Sequence, residues 1–384
     1  MTNKLKGENN MRFVNKYLRN IIPYRVASHK IWTVEDNERE KILKLDWNES
    51  TIPPSPKVHQ RIKRLINGTC FYQFYPSTFN EELLSLLSDY IGIPSECIQY
   101  FSSSDSLHEY IARTFVTVGD PVLLIGPTYD NFRLTVEASG AILHRCDFGL
   151  DEDVSVKGIQ KEIDKYNPSL VYVCNPNNPT GRIFECYDIE NLIKKNEDVL
   201  FLIDEAYMEF ANKSSSGLVG MYDNILISRT MSKAFGLANF RFGYLLSNKQ
   251  NIEDISKIRN PKNIPTFTQE AVIGALEDIG YMRNYVEEIT RAKDVVYDHL
   301  RKYADVLEVY PSAANFVMVR FYNEDVRKEF VGKLTKDNIF IRDICQNEYI
   351  AKYCVRITVG TREQMQHVFD AIDEFMKSKG LLNE

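Results

Sequence analysis

"SRTMSKAFGLANFRFGY", residues 228–244, sets one lysine and two arginines in a dense row of small and aromatic residues. The preceding run, "YDNILI" (222–227), reads as a strand. Lys233 therefore lies just past a buried strand, where an ammonium without partners is costly. Its partners have to come from elsewhere in the chain, and finding them requires the fold.

Apolar runs of strand length recur through the middle of the chain: "CIQYFS" (97–102), "PVLLIG" (121–126), "AILHRC" (141–146), "LVYVC" (170–174), "VLFLID" (199–204), "NILIS" (224–228) and "FGYLLS" (242–247). Amphipathic segments such as "SLHEYIARTFVTV" (106–118) separate most of them. Strand–helix alternation of this kind predicts an α/β fold with a mostly parallel, seven-stranded sheet covered on both faces. The pattern changes near residue 265, where long helical periodicity begins. Short strands and a closing helix follow. The expected organisation is an N-terminal arm (1–55) contributing to a small domain, a large domain (56–270) and a small α+β C-terminal domain (271–384).

Composition narrows the function. The 384 residues are 44% hydrophobic and 26% charged, with a formal net charge of −6, which supplies no basic footprint for nucleic acid. No apolar run reaches the roughly 20 residues of a membrane helix, and the N-terminus lacks a signal-peptide core. The expectation is a cytoplasmic protein. Seven dispersed cysteines without a CxxC pair, and six dispersed histidines, suggest neither a disulfide framework nor a metal site. No GxGxxG follows the first strand, which argues against a dinucleotide-binding fold.

In open α/β sheets, ligands bind beyond the carboxyl ends of the strands. Five of these ends carry polar or aromatic groups here: "SSDSLHEY" (103–110), "PTYDNF" (127–132), "NPNNPTG" (175–181), Asp204 with "EAYMEF" (205–210), and "RTMSKAFG" (229–236). Taken singly, each has a plain reading. Asn, Pro and Gly form turns, aspartate and serine cap helices, and tyrosines pack in cores with wet hydroxyls. The order and spacing of the whole set exceed what those readings explain.

In this order, "NPNNPTG", "DEAYMEF" and "SRTMSKAFGLANFRFGY" resemble the pyridoxal-phosphate enzymes of fold type I, and within them the class I and II aminotransferases. "IFIRD" (339–343) and "VRITVGTREQM" (355–365) resemble the histidinol-phosphate aminotransferase-like subgroup, and the likeness runs from "NIIPYRVA" (20–27) to the last helix. The resemblance implies pyridoxal 5'-phosphate as cofactor, with Lys233 forming the Schiff base to its aldehyde and then moving a proton as a free amine. It implies Asp204 on the pyridine nitrogen, Asn178 and Tyr207 on the phenolic oxygen, and Tyr129 stacked on the ring. The phosphate would be held by Ser104, Asp105 and Ser106 at a helix start, by Thr230, Ser232 and Arg241, and by Tyr75 from a second subunit. A homodimer with shared sites follows. Arg356, Arg342, Tyr24 and Asn48 match positions near the substrate.

Two departures bear on the substrate. "SSSDS" (102–106) replaces the subgroup's small residue followed by an acidic pair or Asn-Glu, and "SHKIWTVEDNEREK" (28–41) lengthens the arm. The expected reaction moves an amino group between glutamate and a small phosphorylated carbonyl compound. Imidazole acetol phosphate is the default acceptor, with dihydroxyacetone phosphate as a rival. The alternative is decarboxylation of phosphoserine or phosphothreonine on the same scaffold.

Overall fold

The computed structural model describes residues 14–19, 21–23, 30–68, 72–152, 155–344 and 353–381. A short strand β1 (Leu43–Leu45) precedes a central block of seven: β2 (Ile98–Phe101), β3 (Pro121–Gly126), β4 (Ile142–Asp147), β5 (Leu170–Cys174), β6 (Leu200–Asp204), β7 (Ile225–Thr230) and β8 (Gly243–Leu246). The seven form one sheet in the order β2-β8-β7-β6-β5-β3-β4. The expected α/β sheet is therefore present. All its neighbours run parallel except β8, which is antiparallel to both β7 and β2.

The sheet is buried on both faces. Leu123, Val171, Val173, Phe201, Ile203 and Ile227 pack on one side. Leu124, Tyr172, Leu202, Leu226 and Leu245 pack on the other. Strands covered twice read as continuous apolar runs, which is why they stood out. β7 continues two residues beyond the expected end, so Arg229 and Thr230 belong to the sheet.

A second sheet is built from β1, β9 (Leu307–Tyr310), β10 (Phe316–Phe321), β11 (Ile339–Asp343) and β12 (Cys354–Thr358), in the order β1-β11-β12-β10-β9. β1 pairs parallel with β11, so the N-terminal segment adds the edge strand. Helices Ile279–Leu300 and Arg362–Ser378 lie beside it in sequence, the latter opened by a capping box in which Thr361 and Gln364 satisfy each other's backbone N–H.

Gly243, the first residue of β8, meets the start of helix Ser104–Phe115. A Cβ there would lie 2.4 Å from Ser104 N and 2.5 Å from Ser103 C. Backbone can approach backbone only because no side chain intervenes. Gly243→Ala should therefore destabilise the chain by about 1–3 kcal/mol. A lowered urea midpoint with an unchanged m-value is expected, and a wild-type midpoint would contradict the contact.

Candidate functional site

The turn "NPNNPTG" after β5 uses its asparagines in two ways. Asn175 is hydrogen-bonded with Phe184 in both directions, its Oδ1 accepting from the backbone N–H at 2.7 Å and its Nδ2 donating to the carbonyl at 3.1 Å. Asn177 Nδ2 donates to Pro127 O at 2.8 Å and to Thr180 Oγ1 at 2.7 Å. These two hold the loop. Asn178 instead faces inward, and its Oδ1 accepts from Arg356 Nη1 at 2.5 Å while its Nδ2 donates to the Tyr207 hydroxyl at 3.2 Å. A guanidinium has no acceptor, so Arg356 fixes which end of the amide meets the tyrosine.

Asn48 approaches Tyr207 from another direction. Its Nδ2 donates to the same hydroxyl at 3.0 Å. Thr358 Oγ1 donates to Asn48 Oδ1 at 3.1 Å and accepts from Asn48 N at 3.1 Å. Asn315 Nδ2 adds a bond to Asn48 O at 3.1 Å. Asn48 holds a φ of 56°, a left-handed conformation that asparagine tolerates better than most residues. The Tyr207 oxygen thus accepts from two amides. Its own proton is left to point at a third partner, and burial pushes the phenol up so that it keeps that proton.

Lys233 is half-buried beside this group. Its Nζ donates to Trp47 O at 2.8 Å and lies 5.8 Å from the centroid of the Tyr207 ring. Burial lowers its pKa to about 8, with Glu49 opposing the shift and Arg356 and Lys44 adding to it. Lys44 is itself ion-paired with Asp46 at 2.9 Å and with Glu49. Arg356 Nη2 donates to Asp46 O at 2.7 Å, which ties the same segment to β12.

Asp204 closes β6, buried. Its Oδ2 accepts from the Tyr172 hydroxyl at 2.9 Å and its Oδ1 from Ala206 N at 3.2 Å. At the start of helix Ser104–Phe115, Ser103 caps with a φ of 94°, its Oγ accepting from Ser106 N at 3.2 Å. Ser102 Oγ donates to Ser106 Oγ at 3.3 Å. Asp105 Oδ1 accepts from the Tyr129 hydroxyl at 3.2 Å and from Asn131 Nδ2 at 3.0 Å, and its Oδ2 lies 3.5 Å from Arg241 Nη2. Thr230 Oγ1 donates to Ser232 Oγ at 2.9 Å, and both are buried. A helix start, hydroxyls and one guanidinium are the kinds of group that favour an anion.

The structure therefore gathers Lys233, Asn178, Tyr207, Asn48 and Arg356 into one connected group, and it ties Tyr129, Asp105 and Arg241 into another. Arg342 stands directly opposite Arg356 across β11 and β12, half-buried. Tyr75 joins none of these contacts; it is 79% exposed, with Lys262 Nζ 4.2 Å over its ring. Tyr24 lies outside the described residues.

The family model described as "Aminotransferase class I and II" matches residues 40–372. The chain belongs to the class I and II aminotransferases. A dihydroxyacetone phosphate transaminase of Campylobacter jejuni is 42% identical over 95% of this chain and 98% of that protein. A histidinol-phosphate aminotransferase of Methanocaldococcus jannaschii is 31% identical over 96% and 98%. The crystal structure of histidinol-phosphate aminotransferase from Sinorhizobium meliloti, in complex with pyridoxal-5'-phosphate, superposes with a TM-score of 0.84 at 25% identity, covering 97% of this chain and 100% of that one.

Several partners of the named side chains escaped the sequence reading. Tyr172 sits inside an apolar strand two residues from its end, where an aromatic reads as core. Thr358 follows Arg356 by two residues on one strand, so alternation places both on one face; that signal was available. Trp47 meets Lys233 through its backbone carbonyl, for which no side-chain signal exists. Conversely, Glu205 and Arg229, both motif residues, pair with each other in the core at 2.9 Å.

Because the folded chain holds the Lys233 amine at about 8 against 10.5 for an ordinary lysine, the unfolded chain binds more protons between those values. In that window Lys233 makes folding more favourable as pH rises. In chain freed of cofactor, acylation of Lys233, followed by peptide mass analysis, should reach half its limiting rate near pH 8, whereas surface lysines climb toward about 10.4. A Lys233 profile that tracks the surface lysines would contradict the burial.

Proposed function

We propose that the chain transfers an amino group between glutamate and a small phosphorylated ketone, dihydroxyacetone phosphate first among them, with pyridoxal 5'-phosphate as resident cofactor. The observation that carries this reading is the gathering of Lys233, Tyr207 and Arg356 around Asn178. The similarity to the Campylobacter jejuni transaminase, higher than to the histidinol-phosphate enzymes named above, supports the ketone.

The donor set suits the cofactor. Asp204, buried and held by two donors, would meet the ring nitrogen. The Tyr207 proton, left over from two amide contacts, would serve the phenolic oxygen, with Asn178 and Asn48 orienting the hydroxyl. Ser104, Asp105 and Ser106, with Thr230, Ser232 and Arg241, would hold the phosphate where Gly243 leaves room at the helix start. Tyr129, tethered to Asp105, would lie on the ring face. When bound, pyridoxal phosphate supplies an electron sink for charge at the substrate α-carbon. The chain does the rest. Lys233 would hold the aldehyde carbon covalently and, once freed, would take a proton at Nζ from the α-carbon and return it; an amine near its pKa suits both transfers. Arg356 and Arg342 would receive a carboxylate or phosphate.

In the same reading Tyr75 serves the site of a second copy. Tyr72, Phe74, Tyr75 and Phe79 are each at least 65% exposed along eight residues, an apolar patch suited to a homodimer. Tyr24 would join the substrate side, the arm would end near 55 and the large domain near 270, and the chain would work in the cytoplasm.

Purified with pyridoxal phosphate, the protein should show a visible absorbance band. Glutamate should bleach it with release of 2-oxoglutarate, and dihydroxyacetone phosphate should restore it faster than imidazole acetol phosphate. Lys233→Ala should lose roughly 10²–10⁴-fold in kcat. A band indifferent to glutamate, with carbon dioxide released from phosphoserine or phosphothreonine, would overturn the proposal.

A further inference from the structure

Helix Ser104–Phe115 brings a second group toward Asp204. His108 lies four residues beyond Ser104, 1% exposed, with its ring edge-on to Phe132 and Tyr172. Its Nε2 is 2.9 Å from Ser228 Oγ and 4.0 Å from Asp204 Oδ2. Ser228 and Asp204 are register partners on β7 and β6, so one imidazole edge faces both strands.

The proton on this ring can be placed by elimination. Nδ1 has no hydrogen-bond partner among the described residues. A proton there would be a buried donor left unmade, which costs the desolvation of the group. The proton therefore belongs on Nε2, the edge that faces two oxygens. Of these, the carboxylate is the stronger acceptor, since charge-assisted bonds are about twice as strong as neutral ones. A shift of about 1 Å brings Nε2 to hydrogen-bond distance of Asp204 Oδ2. That oxygen already accepts from Tyr172, whose phenol is held in its donor form by burial.

We propose that His108 is a positioning residue for the aminotransfer reaction, its Nε2–H joining the Tyr172 hydroxyl as a second donor to Asp204 Oδ2 that keeps the carboxylate aimed. The ring nitrogen of the cofactor needs that carboxylate, so this inference rests on the role proposed for Asp204. Helix Ser104–Phe115 would then set both ends of one ligand, the phosphate through its first N–H groups and the ring nitrogen through His108 and Asp204.

The test uses two variants with wild-type protein beside them. Glutamine can carry an N–H close to the position of Nε2, whereas leucine fills the space without a donor. In His108→Leu, pyridoxal phosphate should dissociate roughly 10-fold more readily and kcat should fall by roughly the same factor, as expected for loss of a bond to a charged group, while KM for glutamate stays within a factor of about two. His108→Gln should recover both to within about three-fold. The dissociation constant is read by fluorescence titration of the apo chain, independently of turnover, and thermal midpoints are taken on the same samples. Wild-type affinity and kcat in His108→Leu would overturn the proposal. Equal losses in both variants, with lowered thermal midpoints, would assign His108 to packing and overturn it too. If His108→Leu does not fold, a wild-type dissociation constant and kcat in His108→Gln support the donor role, and losses there refute it. Absence of a visible band in wild-type protein would instead mark failure of the cofactor reading itself.

Discussion

One carboxamide, that of Asn178, bonds to groups carried by both sheets. Its oxygen takes the Arg356 guanidinium from β12, and its nitrogen serves Tyr207 just past β6. Arg356 leaves the amide no choice of orientation, because an arginine only donates. The tyrosine is then committed as an acceptor on that side, and Asn48 commits it on another. The consequence is one hydroxyl proton that neither amide uses, on a ring whose centroid lies 5.8 Å from Lys233 Nζ. Buried polar groups demand partners, and here that demand converts a folding requirement into an aimed donor.

The same demand tunes the lysine. Lys233 has a carbonyl, Trp47 O, where an ion pair would be expected. A carbonyl holds the amine in place without stabilising its charge as a carboxylate would. Burial then draws its pKa down to about 8, and the nearby Arg356 assists. Glu49 pulls the other way but is engaged by Lys44. The amine is thereby able to hold or release a proton close to neutral pH, which a solvent-exposed lysine does poorly.

Much of this was legible in the sequence. The seven strands announced themselves because a doubly covered sheet leaves no polar alternation, and the ends of five of them carried the groups later found at one edge. The antiparallel course of β8 was not legible, since "FGYLLS" has the same composition in either direction. The side-chain partners of named residues were also hidden. Tyr172 and His108 each sit within an apolar pattern, and only the folded arrangement reveals that both turn toward Asp204. Asp105 illustrates a partial reading. It was expected as part of a backbone cradle, and its side chain proves also to tether Tyr129 and to face Arg241.

The central claim is that Lys233, held in this pocket, is the residue that joins the cofactor. The most direct measurement is borohydride reduction of the protein loaded with pyridoxal phosphate, followed by digestion and mass analysis. The account predicts one phosphopyridoxyl adduct, on the peptide bearing Lys233, at one per chain. An adduct spread over surface lysines such as Lys249 and Lys257, with Lys233 unmodified, would contradict it.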